Sequence, residues 1–233
     1  MSLFLEKIVE DGYTSYNVTP FGYGLFIVII VAAMIVASFF TNSESKNRFS
    51  TKQLVFSAVC MALAFVTSMI KLIDLPMGGS VTLFSMFFIT FIGYLYGPRT
   101  GFTASIAYGF LQLIADPYII SIPQLFCDYI FAFGILGVSG FFASKKYGLF
   151  KGYIAGVIGR FIFSVISGVI FFADYAPEGM SPLGYSMAYN GSYLAAEALL
   201  TIVVCLVPAV RSALLRLKVM ANETDLKVKV SIN

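Results

Sequence analysis

The sequence contains no histidine at any of its 233 positions. That absence excludes HExxH metal hydrolysis, Ser-His-Asp triads and histidine proton relays. No GxxxxGK[ST] run occurs, so the chain carries no P-loop for nucleotide hydrolysis. Charge is scarce: Asp, Glu, Lys and Arg make up only 12% of the residues, too little to give a soluble domain its polar skin. Cys60, Cys127 and Cys205 fall inside apolar runs without CxxC spacing. They read as small buried hydrophobes, neither a disulfide framework nor a metal site. No long internal repeat supports an inverted-repeat secondary transporter, and the alternating strands of an outer-membrane barrel are missing.

What the chain does have is apolar length. Hydrophobic residues make up 59% of it, and its mean hydropathy is +0.88. Runs of about 20 apolar residues cross a bilayer core as helices. Seven such spans can be drawn, at 20–41, 53–73, 81–97, 100–115, 121–143, 150–173 and 184–212. The expected fold class is therefore all-α, a polytopic membrane helix bundle. The polar linker 42–52 separates an accessory first span from a six-helix core. The corresponding division is 1–51 for the N-terminus, first span and linker, 52–213 for the membrane core, and 214–233 for a basic tail.

The bases fall on one side of this arrangement. Lys46, Arg48, Lys52, Arg99, Lys145, Lys146, Lys151, Arg211, Arg216, Lys218, Lys227 and Lys229 lie in alternate connections or the tail, which the positive-inside rule makes cytoplasmic. Asp74, Asp116, Asp174 and Glu178 mark the opposite side, with Lys71 the only base near them. This places the C-terminus in the cytoplasm and the acidic N-terminus outside, in a multi-pass protein of the cell membrane. It also makes the basic side ordinary topology and not a nucleic-acid surface. The first span, GYGLFIVIIVAAMIVASFF, lacks a basic n-region and is expected to be retained.

Ionisable groups deep in a membrane are costly and mark a function or a structural pair. Three stand out: Asp128, Arg160 and Glu197. Ser121, Gln124 and Asp128 share one face of the fifth span. Arg160, Ser164, Gly168 and Phe172 form an i+4 ladder in the sixth, and Ser186, Asn190, Tyr193 and Glu197 share an arc of the last. The three stripes converge on one outward-opening pocket, with Tyr118, Tyr129, Phe172, Tyr185 and Tyr189 around its mouth. Arg160 and Glu197 either neutralise each other or take ligand. If they pair, Asp128 is left without a basic partner, and a carboxylate among aromatics suits an organic cation. Small residues at Ala58 and Ala62, at Gly134, Gly137 and Gly140, and at Gly152 and Gly156 smooth their helices for close packing. Such a face either packs within the chain or docks another membrane subunit.

Residues from about 52 to 212 carry PMGGSVTL, DPYIISIPQ, DYIFAFGILGVSGFF, GRFIFSVISGVIFFADYAPEGM and YSMAYNGSYL. In these runs the chain resembles the thiamine-specific S components of energy-coupling factor (ECF) transporters. The resemblance implies a six-helix S-component core, here with one extra N-terminal transmembrane helix. It implies a substrate-binding subunit, not an enzyme, with thiamine as ligand and no cofactor or metal. Its partners would be a transmembrane coupling protein and two cytoplasmic ATPases. Asp128 and Tyr129 stand at the family's acidic ligand-binding pair. Tyr118, Tyr185 and Asn190 match further contact positions, Phe172 the stacking aromatic, and Arg160 the basic residue on the same helix. Ala58 and Ala62 match the coupling-protein contact.

Some members carry histidine where Ser164 stands, and tryptophans where this chain has none. Gln124, Ser164 and Glu197 complete the expected ligand set from the polar stripes. The stretch DYAPEGMSPLG, at 174–184, is expected to form the outer lid. A related pyrimidine or thiazole ligand, and a stand-alone ion-coupled transporter, are the alternatives.

Overall fold

The computed structural model describes residues 5–10, 13–22, 24, 28 and 50–231. Most of the expected first span, 20–41, lies outside the described residues. Ahead of it, β1 (Leu5–Glu10) and β2 (Tyr13–Val18) pair as an antiparallel hairpin.

The core begins with α1 (Thr51–Ser68), started by Ser50, whose hydroxyl accepts the Gln53 N–H. The hydroxyls of Thr67 and Ser68 bond back to carbonyls one turn earlier, as an apolar setting requires. A second antiparallel hairpin follows, β3 (Lys71–Asp74) and β4 (Ser80–Thr82), joined by the tight turn Pro76–Gly78. The spans drawn at 53–73 and 81–97 therefore end early and start late. The residues between them form strands outside the helices.

Next come α2 (Ser85–Tyr96) and α3 (Pro98–Ala115), separated by one residue, Gly97. Its φ of 88° is left-handed, and Pro98 starts the next helix where its missing N–H costs nothing. All but two of the twelve residues of α2 are buried, which makes it the central helix of the bundle. It packs against α1, α3, α4 (Ile122–Phe142) and α5 (Gly148–Phe171).

Glycines permit that density. A Cβ on Gly101 would lie 2.9 Å from the Gly137 carbonyl oxygen and from the Gly93 Cα. The glycine stripe of α4 thus packs within the chain. Along α4 the hydrogen bonding changes, from α to a π turn at Phe126–Phe131 and then to a 3-10 stretch at Ile135–Phe142.

The last expected span, 184–212, is two helices. α6 (Pro182–Leu206) stops where Pro208 forces Val207 into extended backbone, with ψ 124°. α7 (Pro208–Ser231) then folds back under the bundle. There the Asn222 amide donates to the Leu95 carbonyl at 3.3 Å and the Lys218 ammonium donates to the Ala143 carbonyl. Lys218 also sits over the Tyr94 ring, 3.6 Å from its centroid. The tail expected at 214–233 is thus a docked helix through Ser231. Among the described residues, α1, α4, α5 and α6 are long and apolar enough to cross a membrane. α2 is about 18 Å long at the usual helical rise, shorter than a bilayer core, and is enclosed by the others.

Candidate functional site

A cavity of about 350 Å³ lies at the end of the bundle where α1, α3 and α5 finish and α4 and α6 begin. Lys52, Arg99, Lys145, Lys151 and Arg211 lie at or just beyond the other ends of these helices.

One wall is built by the start of α4. Ser121 caps the helix through the Gln124 N–H. The Gln124 side chain then works in three directions. Its oxygen accepts the Ile120 N–H at 3.2 Å, and its amide donates to the Tyr118 carbonyl at 3.1 Å and to the Asp128 carboxylate at 2.6 Å. The Tyr129 hydroxyl donates to the Asp116 carbonyl at 2.9 Å and accepts the Tyr118 N–H at 2.8 Å. Together these bonds fix the 116–121 connection onto α4, and with it the Tyr118 ring. Tyr129 can sit there because Gly109 of α3 faces it: a Cβ on Gly109 would meet the Tyr129 carbonyl oxygen at 2.0 Å.

The opposite wall joins α5 to α6. Gly168 lets Ser186 approach, whose hydroxyl donates to the Val165 carbonyl at 3.0 Å. The Asn190 amide donates to the Ser164 carbonyl at 3.3 Å and the Ser186 carbonyl at 3.0 Å, and its oxygen accepts the Tyr193 hydroxyl at 2.9 Å. Asn190 therefore lines the cavity while holding α6 against α5. Phe172, at the end of α5, stacks on Tyr118 at the cavity wall, with ring centroids 5.9 Å apart and planes 24° apart. Tyr185, Tyr189 and Tyr193 form a ladder of ring contacts along α6.

The β3–β4 hairpin walls the mouth. The Tyr189 hydroxyl accepts the Gly79 N–H at 2.9 Å and donates to the Pro76 carbonyl, so one phenol grips both sides of the turn. A Cβ on Gly79 would lie 2.4 Å from that oxygen, so a larger residue there would displace the phenol. The stretch 174–184, expected as the lid, contributes no lining residue. Its nearest link to the site is Tyr175, whose hydroxyl lies 3.5 Å from that of Tyr118. The prolines and glycines of 174–184 are conspicuous in the sequence, while the short strands KLID and SVT that wall the mouth give almost no periodic signal.

Asp128, Tyr129, Tyr118, Gln124, Arg160, Ser164, Phe172, Tyr185 and Asn190 all line this one cavity. Glu197 does not. It is 1% exposed and turns toward the start of α2, where it accepts the Thr82 hydroxyl at 2.6 Å and the Ser85 hydroxyl and Met86 N–H at 3.2 Å each. A carboxylate at a helix N-terminus meets unpaired N–H groups and the positive end of the dipole. Glu197 is thus occupied by an internal cap.

The Arg160–Glu197 ion pair does not form. The two salt bridges among the described residues both involve Lys71. The Arg160 guanidinium instead lies over the Phe133 ring, 4.1 Å from its centroid. Asp128 likewise has no basic partner within ion-pair distance among the described residues.

Ala58 and Ala62 lie on the exposed face of α1 beside Leu54, Val55, Val59 and Leu63. Lining residues that the sequence reading passed over include Tyr108 and Gln112 of α3. With Asp116 they form an i, i+4, i+8 stripe, a signal present in the sequence but masked by the small residues around it.

A bundle of membrane-crossing helices around an aromatic cavity lined by Asp128 and, at its rim, Asp116 defines a multi-pass membrane protein with a pocket for a small molecule. The model of the thiamine transporter protein family matches residues 54–216, and the chain belongs to that family. It is 32% identical over 167 residues to the thiamine transporter ThiT of Bacillus subtilis strain 168, covering 65% of this chain and 85% of that protein. It is also similar in fold to the solved structure of ThiT from Listeria monocytogenes. That match has a TM-score of 0.60 and 24% identity and covers 70% of this chain and 96% of the other.

Proposed function

We propose that the chain captures thiamine in this cavity, from the outer face of the cell membrane, as the substrate-binding subunit of an ECF-type importer. The observation that carries the reading is Asp128, a carboxylate lining the cavity with an amide partner and, among the described residues, no basic one within ion-pair distance. A permanent thiazolium cation supplies the missing charge. Tyr118 and Phe172 offer stacked faces to the rings, and Ser164 and Tyr185 offer hydroxyls to the aminopyrimidine edge. No covalent step is required: capture and release are the function, and ATP hydrolysis falls to partner subunits. The exposed Ala58 and Ala62 face of α1 supports docking of a transmembrane coupling protein, because small residues let helices approach closely.

Calorimetry with thiamine on the purified protein and on Asp128→Asn tests the site. Truncating one partner of a buried charge pair costs at least about 2 kcal/mol, or a loss of about 30-fold in affinity. Unchanged affinity in the variant removes the proposed role of the carboxylate. Mass spectrometry of ligand carried through mild purification separates thiamine from a related pyrimidine or thiazole.

A further inference from the structure

Lys71 is the only base near Asp74, Asp116, Asp174 and Glu178 in the sequence, and it lies on the rim of a cavity suited to a cation. A bare ammonium there would repel such a ligand. The structure neutralises it twice, with Asp116 at 2.7 Å and Asp74 at 3.3 Å. The two bridges differ in kind. Asp74 lies on the same strand, whereas Asp116 belongs to the α3–α4 connection, so the Lys71–Asp116 bridge joins the hairpin to the end of α3 at the rim.

Asp116 is a prepared partner. Its carbonyl accepts the Tyr129 hydroxyl, so the backbone that presents the carboxylate is already fixed. The hairpin is consequently held at both ends, at its turn by Tyr189 and at its base by Lys71.

We infer that Lys71 is a positioning residue for ligand retention: its bridge to Asp116 ties the base of the β3–β4 hairpin to the end of α3 at the mouth and sets the rate at which a bound molecule leaves. The inference rests on the reading that thiamine occupies this cavity. Lys71 is 31% exposed and Asp116 57%, so the bridge is open to screening by salt. Its strength belongs to the range of exposed pairs, which sets the expected change in release rate at about two- to fivefold.

The test measures thiamine dissociation by stopped flow at low and high ionic strength on the full chain, for wild type, Lys71→Gln, Asp116→Asn and the swapped pair Lys71→Asp with Asp116→Lys. Lys71→Gln makes the rim more negative and Asp116→Asn makes it more positive. A purely electrostatic effect on the ligand would therefore move the two dissociation rates in opposite directions. A tether instead predicts that both variants release faster, that both lose the salt sensitivity of the wild type, and that the swap restores slow release. Opposite shifts overturn the inference, as does an unchanged release rate with a lowered melting temperature. If the wild type binds no thiamine, the functional reading fails by itself. Hydrogen exchange over residues 71–82 then decides the tether: faster exchange in both single variants upholds it, and unchanged exchange overturns it.

Discussion

Replacing Glu197 with Gln separates a cap from a ligand contact more cleanly than any other single change. The carboxylate takes three donors, and the Thr82 and Ser85 hydroxyls are also 2.8 Å from each other. In Glu197→Gln, the amide oxygen still accepts the Met86 N–H and the Ser85 hydroxyl. The amide NH2 donates to Thr82, which turns its own proton to Ser85. The network stays satisfied and loses only charge assistance, a cost of about 1 kcal/mol.

Glu197→Ala strands the Met86 N–H in a dry environment and leaves a hole, for about 3–5 kcal/mol. At about 2–4 °C per kcal/mol for a chain of this size, the alanine variant should melt on the order of 10 °C lower. The glutamine variant should melt within a few degrees of wild type. Thermal unfolding in detergent, paired with thiamine calorimetry on both variants, checks this. A Glu197→Gln protein of normal stability but with tenfold weaker thiamine binding would refute the reasoning and return the acid to the ligand.

Three further outcomes follow from the site. Gly109→Ala drives a methyl into the Tyr129 carbonyl, so both melting temperature and thiamine affinity should fall, with overpacking of about 1–3 kcal/mol. Gly191→Ala is the control, because its Cβ meets only Phe161 at an ordinary 3.6 Å and both quantities should hold. Phe172→Ala should weaken thiamine binding about 5- to 30-fold by calorimetry, and Phe172→Trp should strengthen it, since indole presents the better π-face. Hydrogen bonding to Asp116 holds the Lys71 pKa above the ordinary lysine range against the opposing effect of partial burial. Its contribution is thus fully present below the ordinary lysine value and lost as pH rises through the raised one. The melting-temperature gap between wild type and Lys71→Gln should be constant from neutral to mildly alkaline pH and close at strongly alkaline pH.

Much of the site was legible because polar residues are rare in this chain. Asp128, Gln124, Ser164 and Asn190 each interrupt an apolar run at helical spacing, and the structure brings them to one cavity. What periodicity could not supply was direction. Glu197 shares a helix arc with Asn190 and Tyr193, yet it lies further from the mouth, where the start of α2 offers unpaired N–H groups. The β3–β4 hairpin was hidden because four- and three-residue strands are shorter than any useful period. The Val207–Pro208 break carried its own signal: proline cannot donate, and it extends the residue before it. The apolar LVPAV around it concealed that signal.

The π turn of α4 does more than widen the helix. One surplus residue in a helix shifts everything beyond it by about 100° relative to regular winding. Phe126–Phe131, which carries Asp128, is thus a phase shifter between the segment that carries Gln124 and the segment whose Gly137 abuts Gly101. Each half can be aimed at its own neighbour without constraint from the other. A single deletion within the turn would bring the two halves back into step, and either Gln124 or the glycine seam would point the wrong way.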